Sequence, residues 1–225
     1  MKKLVVTIDG PAASGKSTTA RTVAKRIGYK YLDTGAMYRA IGLKALRTGA
    51  DVKDEAAMAE LARETEVDVT MLASGTRILL DGADVTDELR SPDVSAAASA
   101  VAALGPVRER MVEIQRAVGA EGGIVAEGRD IGSVVFPEAE VKIYLDADLT
   151  TRAERRKREL NGKGTEVELG KVERDIRSRD KTDSNRRHSP LVVPEGAVIV
   201  DTTQLTIEEQ IEEVLREVRG RMQGS

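Results

Sequence analysis

Residues 4–18 read Leu4-Val5-Val6-Thr7-Ile8-Asp9-Gly10-Pro11-Ala12-Ala13-Ser14-Gly15-Lys16-Ser17-Thr18. A continuous apolar run leads into a loop of the form G-x-x-x-x-G-K-[ST] over Gly10–Ser17. A helical stripe then begins with Ala20, Val23, Ala24 and Ile27. Strand, glycine-rich loop and helix in that order make a cradle for phosphate oxygens. Glycines let backbone N–H groups converge, and the helix N-terminus adds positive partial charge. In such a loop Lys16 reaches the β- and γ-phosphates of ATP and the Ser17 hydroxyl ligates Mg2+. The candidate ATP lining is Gly10, Pro11, Ala12, Ala13, Ser14, Gly15, Lys16, Ser17 and Thr18. An ordinary glycine-rich turn is the plain alternative, and the strand before the loop and the stripe after it argue against that reading.

Four further apolar runs follow, at Tyr29–Leu32, Ile124–Ala126, Val141–Leu145 and Ala197–Val200. They are mostly Val/Ile-rich and continuous, as in strands covered by helices on both faces. Helical stripes lie between them, at Val107, Met111, Ile114 and Val118, and at Ile207, Ile211, Val214, Leu215 and Val218. The last is introduced by a capping box at Thr206-Ile207-Glu208-Glu209. The expectation is an α/β fold of the P-loop NTPase type, with a five-stranded parallel sheet flanked by helices. One region departs from that rhythm. Val67–Leu72 reads as a strand, Ala73–Thr76 as a turn, Arg77–Leu80 as a return strand and Asp81–Asp84 as another turn. An Ala/Ser-rich helix from about Asp93 to Leu104 follows, so residues 36–105 form an excursion containing a small antiparallel sheet. Arg221–Ser225 reads as a frayed end.

Composition narrows the function classes. The chain has 225 residues, 35 Lys+Arg against 38 Asp+Glu, one His, no Cys and 2% aromatic residues. Disulfides, thiol catalysis and Cys-ligated zinc are excluded, and a His-based triad has almost no material. A net charge of −3 and few stacking residues disfavour a nucleic-acid partner. No run approaches the ~20 apolar residues of a membrane helix, and Met1–Leu4 leads straight into a strand, so a cytoplasmic location is expected. No long apolar seam marks an obligate dimer, and a monomer is expected.

Arginines cluster late. Thr151–Leu191 holds 13 Lys/Arg and 8 Asp/Glu, including Arg152, Arg155, Arg156 and Arg158. A solvated helix face is one reading. The other is a mobile lid, with Arg152, Arg155 and Arg156 on one face and a bend at Asn161–Thr165, folding guanidinium groups over a transferring phosphoryl group. Glu127-Gly128-Arg129-Asp130 follows a strand, where ligands of open parallel sheets sit. Arg129 and Asp130 are placed for a ligand there, and Glu127 for organising water around Mg2+. Asp9 and Asp33, also at strand ends, are either outer supports of that ion or turn residues. His188 reads as an exposed loop residue. A GTPase would need [NT]-K-x-D after a strand. The nearest string, Asp180-Lys181-Thr182-Asp183, starts with the wrong residue and follows a charged helical stretch.

Four segments together resemble the bacterial cytidylate kinase family. They are Gly10–Thr18, Leu32-Asp33-Thr34-Gly35-Ala36-Met37-Tyr38-Arg39, Glu127–Asp130 and Asp183-Ser184-Asn185-Arg186, with the β-rich insert around Leu80–Thr86 beside them. The resemblance runs from the first strand to the last helix. It implies transfer of the γ-phosphoryl of ATP to CMP or dCMP, in pyrimidine nucleotide metabolism, with no partner beyond these small molecules. It further implies that Arg39, Arg129 and Arg186 clamp the acceptor phosphate, that Ser99, Arg108 and Asp130 read the cytosine edge, and that Thr34 contacts the nucleotide near its phosphate. Asp183, helped by Arg179, would hold the sugar hydroxyls. Lys16, Arg129 and Arg186, with lid residues Arg152 and Arg156, form the expected catalytic set. The implied parts are a core of residues 1–35, 106–150 and 188–225, an acceptor-binding part of 36–105 and a lid of 151–187. Glu127 and Thr34 stand where many relatives carry Asp and Ser. The rival readings are a P-loop kinase for another small acceptor, such as a different nucleoside monophosphate or shikimate, and a nucleotide-dependent switch; an RNA-binding role for the basic segment is disfavoured by the net charge.

Overall fold

The computed structural model describes residues 3–72, 75–162 and 164–223. Ala73-Ser74 of the expected turn, Lys163 of the expected bend and Gly224-Ser225 of the tail lie outside the described residues. The first half runs β1 (Val5–Asp9), α1 (Lys16–Ile27), β2 (Lys30–Asp33), α2 (Thr34–Thr48), α3 (Glu55–Glu64), β3 (Val67–Leu72), β4 (Gly75–Leu80) and β5 (Ala83–Asp84). A 3-10 turn at Glu88–Arg90 leads to α4 (Pro92–Val101), α5 (Gly105–Gly119) and β6 (Ile124–Gly128). A π-helical turn over Ile131–Val135 precedes β7 (Val141–Asp146). The chain closes with α6 (Leu149–Asn161), α7 (Leu169–Ser184), β8 (Val198–Asp201) and α8 (Ile207–Gln223).

Strands β2-β6-β1-β7-β8 form the expected five-stranded sheet, parallel throughout. Parallel strands point all their carboxyl ends at one rim, and the loops after β1, β2, β6 and β7 therefore converge there. Two apolar layers enclose the sheet. On one face Leu32, Ile124 and Ala126 pack with Met37, Ile41, Met58, Met111 and Ile131. On the other, Val6, Ile8, Ile143 and Leu145 pack with Val23 of α1 and Val214 and Leu215 of α8. Among the described residues no helix is long and apolar enough to cross a membrane.

The excursion differs from its sequence reading in three ways. Residues 34–64 form two helices, α2 and α3, that the periodicity did not announce. Asp33 caps α2 by accepting from Ala36 N at 2.9 Å, and Asp54 caps α3. The helix expected over 93–104 stops at Val101, and Gly105-Pro106 starts a new one. Only Asp81-Gly82 turns, at φ 49° and 80°, while Ala83-Asp84 already pairs with β4. Ile78 and Leu80 of the insert belong to the same apolar cluster as α2. Thr76 stitches the insert to β2, its Oγ1 accepting from Asp33 N at 3.0 Å and donating to Tyr31 O at 2.9 Å. At the tail, Arg221–Gln223 continue α8 rather than fraying.

Helices α2 and α4 cross in close contact at Gly42, where a Cβ would stand 2.8 Å from Ala98 N and 3.2 Å from the Ala97 carbonyl carbon. Backbone cannot yield as a side chain can. Gly42→Val should therefore lower the unfolding free energy by about 1–3 kcal/mol, measured as a shifted denaturant midpoint at constant slope. An unchanged midpoint would show that the two helices separate freely.

Candidate active site

The loop after β1 folds as the phosphate cradle expected from its pattern. Gly10 sits at φ 147°, and a Cβ there would fall 2.1 Å from Leu145 O, so only glycine lets the chain leave β1 against β7. Lys16, the first residue of α1, turns back over the loop and donates to Pro11 O at 2.5 Å and Ser14 Oγ at 3.3 Å. Ser17 and Thr18 on the next positions are exposed.

Lys16 is buried, and burial together with the neighbouring Arg129 and Arg179 pushes its ammonium well below its usual range. Glu127 and Asp9 act in the opposite sense. Glu127, buried at the end of β6, is pushed upward by burial and by Asp33. Lys16 and hydrogen bonds from Ser17 and Tyr31 hold it down. Asp9 is wholly buried and accepts from Ile131 N at 2.8 Å and Gly132 N at 2.7 Å, locking the π-helical turn to β1. Burial nonetheless raises its carboxyl to about 6. Asp9 is thus engaged with the backbone of the π-helical turn, and Asp33 with the first turn of α2 and with Arg39.

Among the described residues no group of three or more His, Cys, Asp and Glu side chains could hold a metal ion. What the site offers instead is one exposed hydroxyl, Ser17, beside one carboxylate, Glu127. That donor set fits a Mg2+ held chiefly by phosphates and water, because Mg2+ dehydrates reluctantly.

Several arginines gather around Asp183 and the strand ends. Asp183 of α7 is 1% exposed in its side chain and receives Arg129 Nε at 2.8 Å and Arg186 Nη2 on its other oxygen. Burial alone would raise the Asp183 carboxyl, but Arg129 and Arg186 hold it below its ordinary 3.8. Arg179, one turn earlier on α7, has a buried Nε with no hydrogen-bond partner. Burial and the nearby Arg129, Arg39 and Arg156 push its guanidinium down to about 10. Arg39 of α2 is paired with Asp33 at 2.8 Å. Arg108 is buried on α5, donates to Asp130 and to Ala102 O at 3.0 Å, and lies 5.3 Å over the Tyr38 ring. Thr34 donates its hydroxyl to Glu127 O at 2.7 Å, tying α2 to β6. Ser99 is half-buried on α4.

Arg152, Arg155 and Arg156 of α6 divide. Arg152 is buried and donates to Ala147 O at 2.9 Å, Ala12 O at 3.2 Å and Asp180 at 2.5 Å. Arg156 is partly exposed, pairs with Glu159 at 2.7 Å and stands near enough to Arg179 to repel it. Arg155 does not share their direction. Its guanidinium is captured by Thr202 O at 2.6 Å and Thr202 Oγ1 at 2.9 Å, since a carbonyl beyond β8 lies within reach of its long stem. The Asp180–Asp183 string lies inside α7 rather than after a strand. His188 is exposed.

Three participants carried no motif. Tyr31 donates to Glu127 from inside β2, Asp180 accepts from Ala12 N at 3.3 Å, and Gln210 of α8 donates to Thr19 Oγ1 at 2.5 Å beneath the cradle. Each belongs to an element distant in sequence from its partner. A cleft of about 490 Å3 between the insert and β2 meets this site at Asp33 and Arg39.

The sequence profile described as Cytidylate kinase matches residues 6–220. The chain belongs to the cytidylate kinase family. The cytidylate kinase of Symbiobacterium thermophilum is 50% identical over 220 residues, covering 97% of both chains. That of Bacillus velezensis is 48% identical over 220 residues, covering 98% of both. A crystal structure of an uncharacterized protein from Eubacterium ventriosum is similar at a TM-score of 0.53 over 96% of this chain and 99% of that one. At 10% identity, this likeness is one of fold alone. Membership in the cytidylate kinase family fits the enzyme class expected from the cradle and the arginines.

Asp183 is the counter-charge for two arginines, so Asp183→Asn strands both. Breaking a buried pair of this kind costs about 3–5 kcal/mol, which thermal unfolding of the nucleotide-free protein would read. Because the folded carboxyl titrates below 3.8, its contribution is complete above about pH 5 and disappears as the pH falls through and below the ordinary value. The gap between parent and Asp183→Asn should therefore close in acid; a gap that persists there would refute the ion-pair account.

Proposed function

We propose that this protein phosphorylates CMP and dCMP, taking the γ-phosphoryl group from ATP bound at the Gly10–Thr18 cradle. The observation that carries the reading is the cation group of Lys16, Arg129 and Arg179 at one sheet rim, where both arginines weaken the charge of Lys16 and Arg129 weakens that of Arg179, with a buried guanidinium nitrogen of Arg179 unpartnered. Such a group is stabilised by a polyanion entering it. The family's named activity supplies the chemical identity of that polyanion.

In this proposal Lys16 and the loop N–H groups hold the β- and γ-phosphates, while Arg39, Arg129 and Arg186 hold the acceptor phosphate. An oxygen of that phosphate attacks the γ-phosphorus, the bond to the β–γ bridging oxygen breaks, and ADP leaves. The attacking oxygen is already anionic, so no general base is needed, which suits a chain without Cys whose one His, His188, is exposed. The barrier is the mutual repulsion of two polyanions: charges ~4 Å apart at an effective dielectric near 20 repel by about 4 kcal/mol per pair. Lys16 and the arginines offset that repulsion, so catalysis is positioning plus fixed charge. Ser17 would hold Mg2+, with Glu127 receiving its bound water; the ion would supply further neutralisation of the phosphates.

Ser99, Arg108 and Asp130 read the cytosine edge in this scheme. Arg108 and Asp130 are buried and fixed to each other, so they present a preset donor and acceptor pair. Asp183, with Arg179 beside it, serves the sugar hydroxyls, since a carboxylate oxygen bound to one arginine retains a second lone pair. Arg156 faces the transferring group from the lid. Small-molecule substrates, a monomer and a cytoplasmic setting complete the proposal; the net charge of −3 and the scarcity of aromatic side chains support small substrates over a nucleic acid.

Lys16→Ala should reduce turnover by about 100-fold or more with an unchanged circular dichroism spectrum; near-parent activity in the folded variant would refute the cradle assignment. A coupled ADP-release assay across the nucleoside monophosphates and shikimate should give its highest kcat/KM with CMP and dCMP. Arg129→Ala should raise KM for CMP more than KM for ATP, and a calorimetric titration showing only an ATP defect would overturn its place in the acceptor clamp.

A further inference from the structure

Arg152 was expected to meet the transferring phosphoryl group, yet its guanidinium is committed elsewhere. One nitrogen holds Ala147 O at the root of α6, and another holds both Ala12 O, in the cradle, and Asp180 of α7. Asp180 returns to the same residue from the other side, its Oδ1 accepting from Ala12 N at 3.3 Å. Both polar groups of the Ala12 backbone are thereby taken by one ion pair, whose side chains are 9% and 20% exposed. Arg152 is anchored to the sheet side of this contact, while Asp180 reaches it from the long helix that also carries Arg179 and Asp183. We infer that the Arg152–Asp180 pair is a latch that docks α7 on the cradle loop and thereby sets where Arg179 and Asp183 stand relative to the triphosphate.

The geometry of α7 makes the coupling specific. Asp180 and Asp183 lie three residues apart on one helix, so they point from neighbouring places on its surface. One is fixed to the loop after β1 through Ala12, and the other to the end of β6 through Arg129. Two attachments fix the rotation and depth of a helix where one leaves it free to turn. Few apolar contacts replace this restraint, since the cluster beneath α6 and α7 rests on Ala153, Val172 and Ile176, and the cradle residue packed against it is Ala13. Misplacement of charged groups by about 1 Å is enough to slow transfer by ~100-fold. Asp180 is on this account a positioning residue that acts through Arg152 and Ala12, with no contact to substrate.

This inference rests on the proposed ATP cradle and is tested beside it. In Asp180→Ala, kcat should fall by about 10-fold to 100-fold and KM for CMP should rise with it, because α7 carries the Arg179 and Asp183 proposed to hold its sugar. ATP hydrolysis in the absence of CMP should change relative to CDP formation, a ratio that a purely structural loss would leave alone. The double variant Arg152→Ala/Asp180→Ala should be no slower than the worse single variant, because both remove one latch. Additive losses would return Arg152 to direct contact with the phosphoryl group and overturn the latch. So would unaltered kcat and hydrolysis ratio in a folded Asp180→Ala. ATP titration of Lys16→Ala separates the two readings: undiminished ATP binding there sinks the cradle itself, whereas normal Asp180 variants beside a Lys16→Ala that binds ATP poorly sink only the latch.

Discussion

A buried ammonium beside guanidinium groups must be compensated, and Lys16 lives under that constraint. Glu127 and Asp9 supply part of the compensation, and Arg129 and Arg179 oppose it. Nearly every other charged feature of the rim follows from the need to hold these groups close without letting them drive one another apart. Asp183 is shared between Arg129 and Arg186, Asp130 pairs with Arg108, and Asp33 pairs with Arg39. Arg108, Arg179 and Arg186 each keep a buried Nε unserved, and the excess of positive charge is what a phosphorylated ligand would correct.

The sheet makes this crowding possible. With all five strands parallel, the carboxyl ends of β1, β2, β6 and β7 lie side by side, and residues separated by more than a hundred positions become neighbours. Backbone and charge are interleaved there. Asp9 fastens the π-helical turn, Thr34 fastens α2, and Tyr31 fastens Glu127, so that the charged groups of the rim stand on elements locked by buried hydrogen bonds. Such preorganisation suits a reaction whose cost is bringing charge together rather than removing a proton from a weak acid.

The insert and helices α6 and α7 are attached to this rim in different ways. The insert shares its apolar cluster with α2 and is stitched to β2 through Thr76, so it moves with an element that carries Arg39. Helices α6 and α7 meet the rest chiefly through ion pairs and carbonyl contacts around Ala12.

All five strands of the sheet, the cradle and the last helix were legible in the sequence, because each is written in neighbouring residues: continuous Val/Ile runs, a spaced Gly-Lys-Ser pattern, a Thr-x-x-Glu cap. Helix α2 was not, because it is apolar around most of its circumference, from Ala36 and Met37 through Ile41 to Leu43, and so shows no stripe to a periodicity argument. The candidate residues were nameable from local motifs and family resemblance, but their division of labour was not. Arg152, Arg155 and Arg156 look alike on a helix, and only the carbonyls of Ala12, Ala147 and Thr202 and the Asp180 and Glu159 carboxylates separate them. What sequence determined here is what short-range spacing encodes, namely element types and the phosphate loop. What tertiary structure decided is which charge meets which, since an ion pair across the fold depends on distances that no local pattern contains.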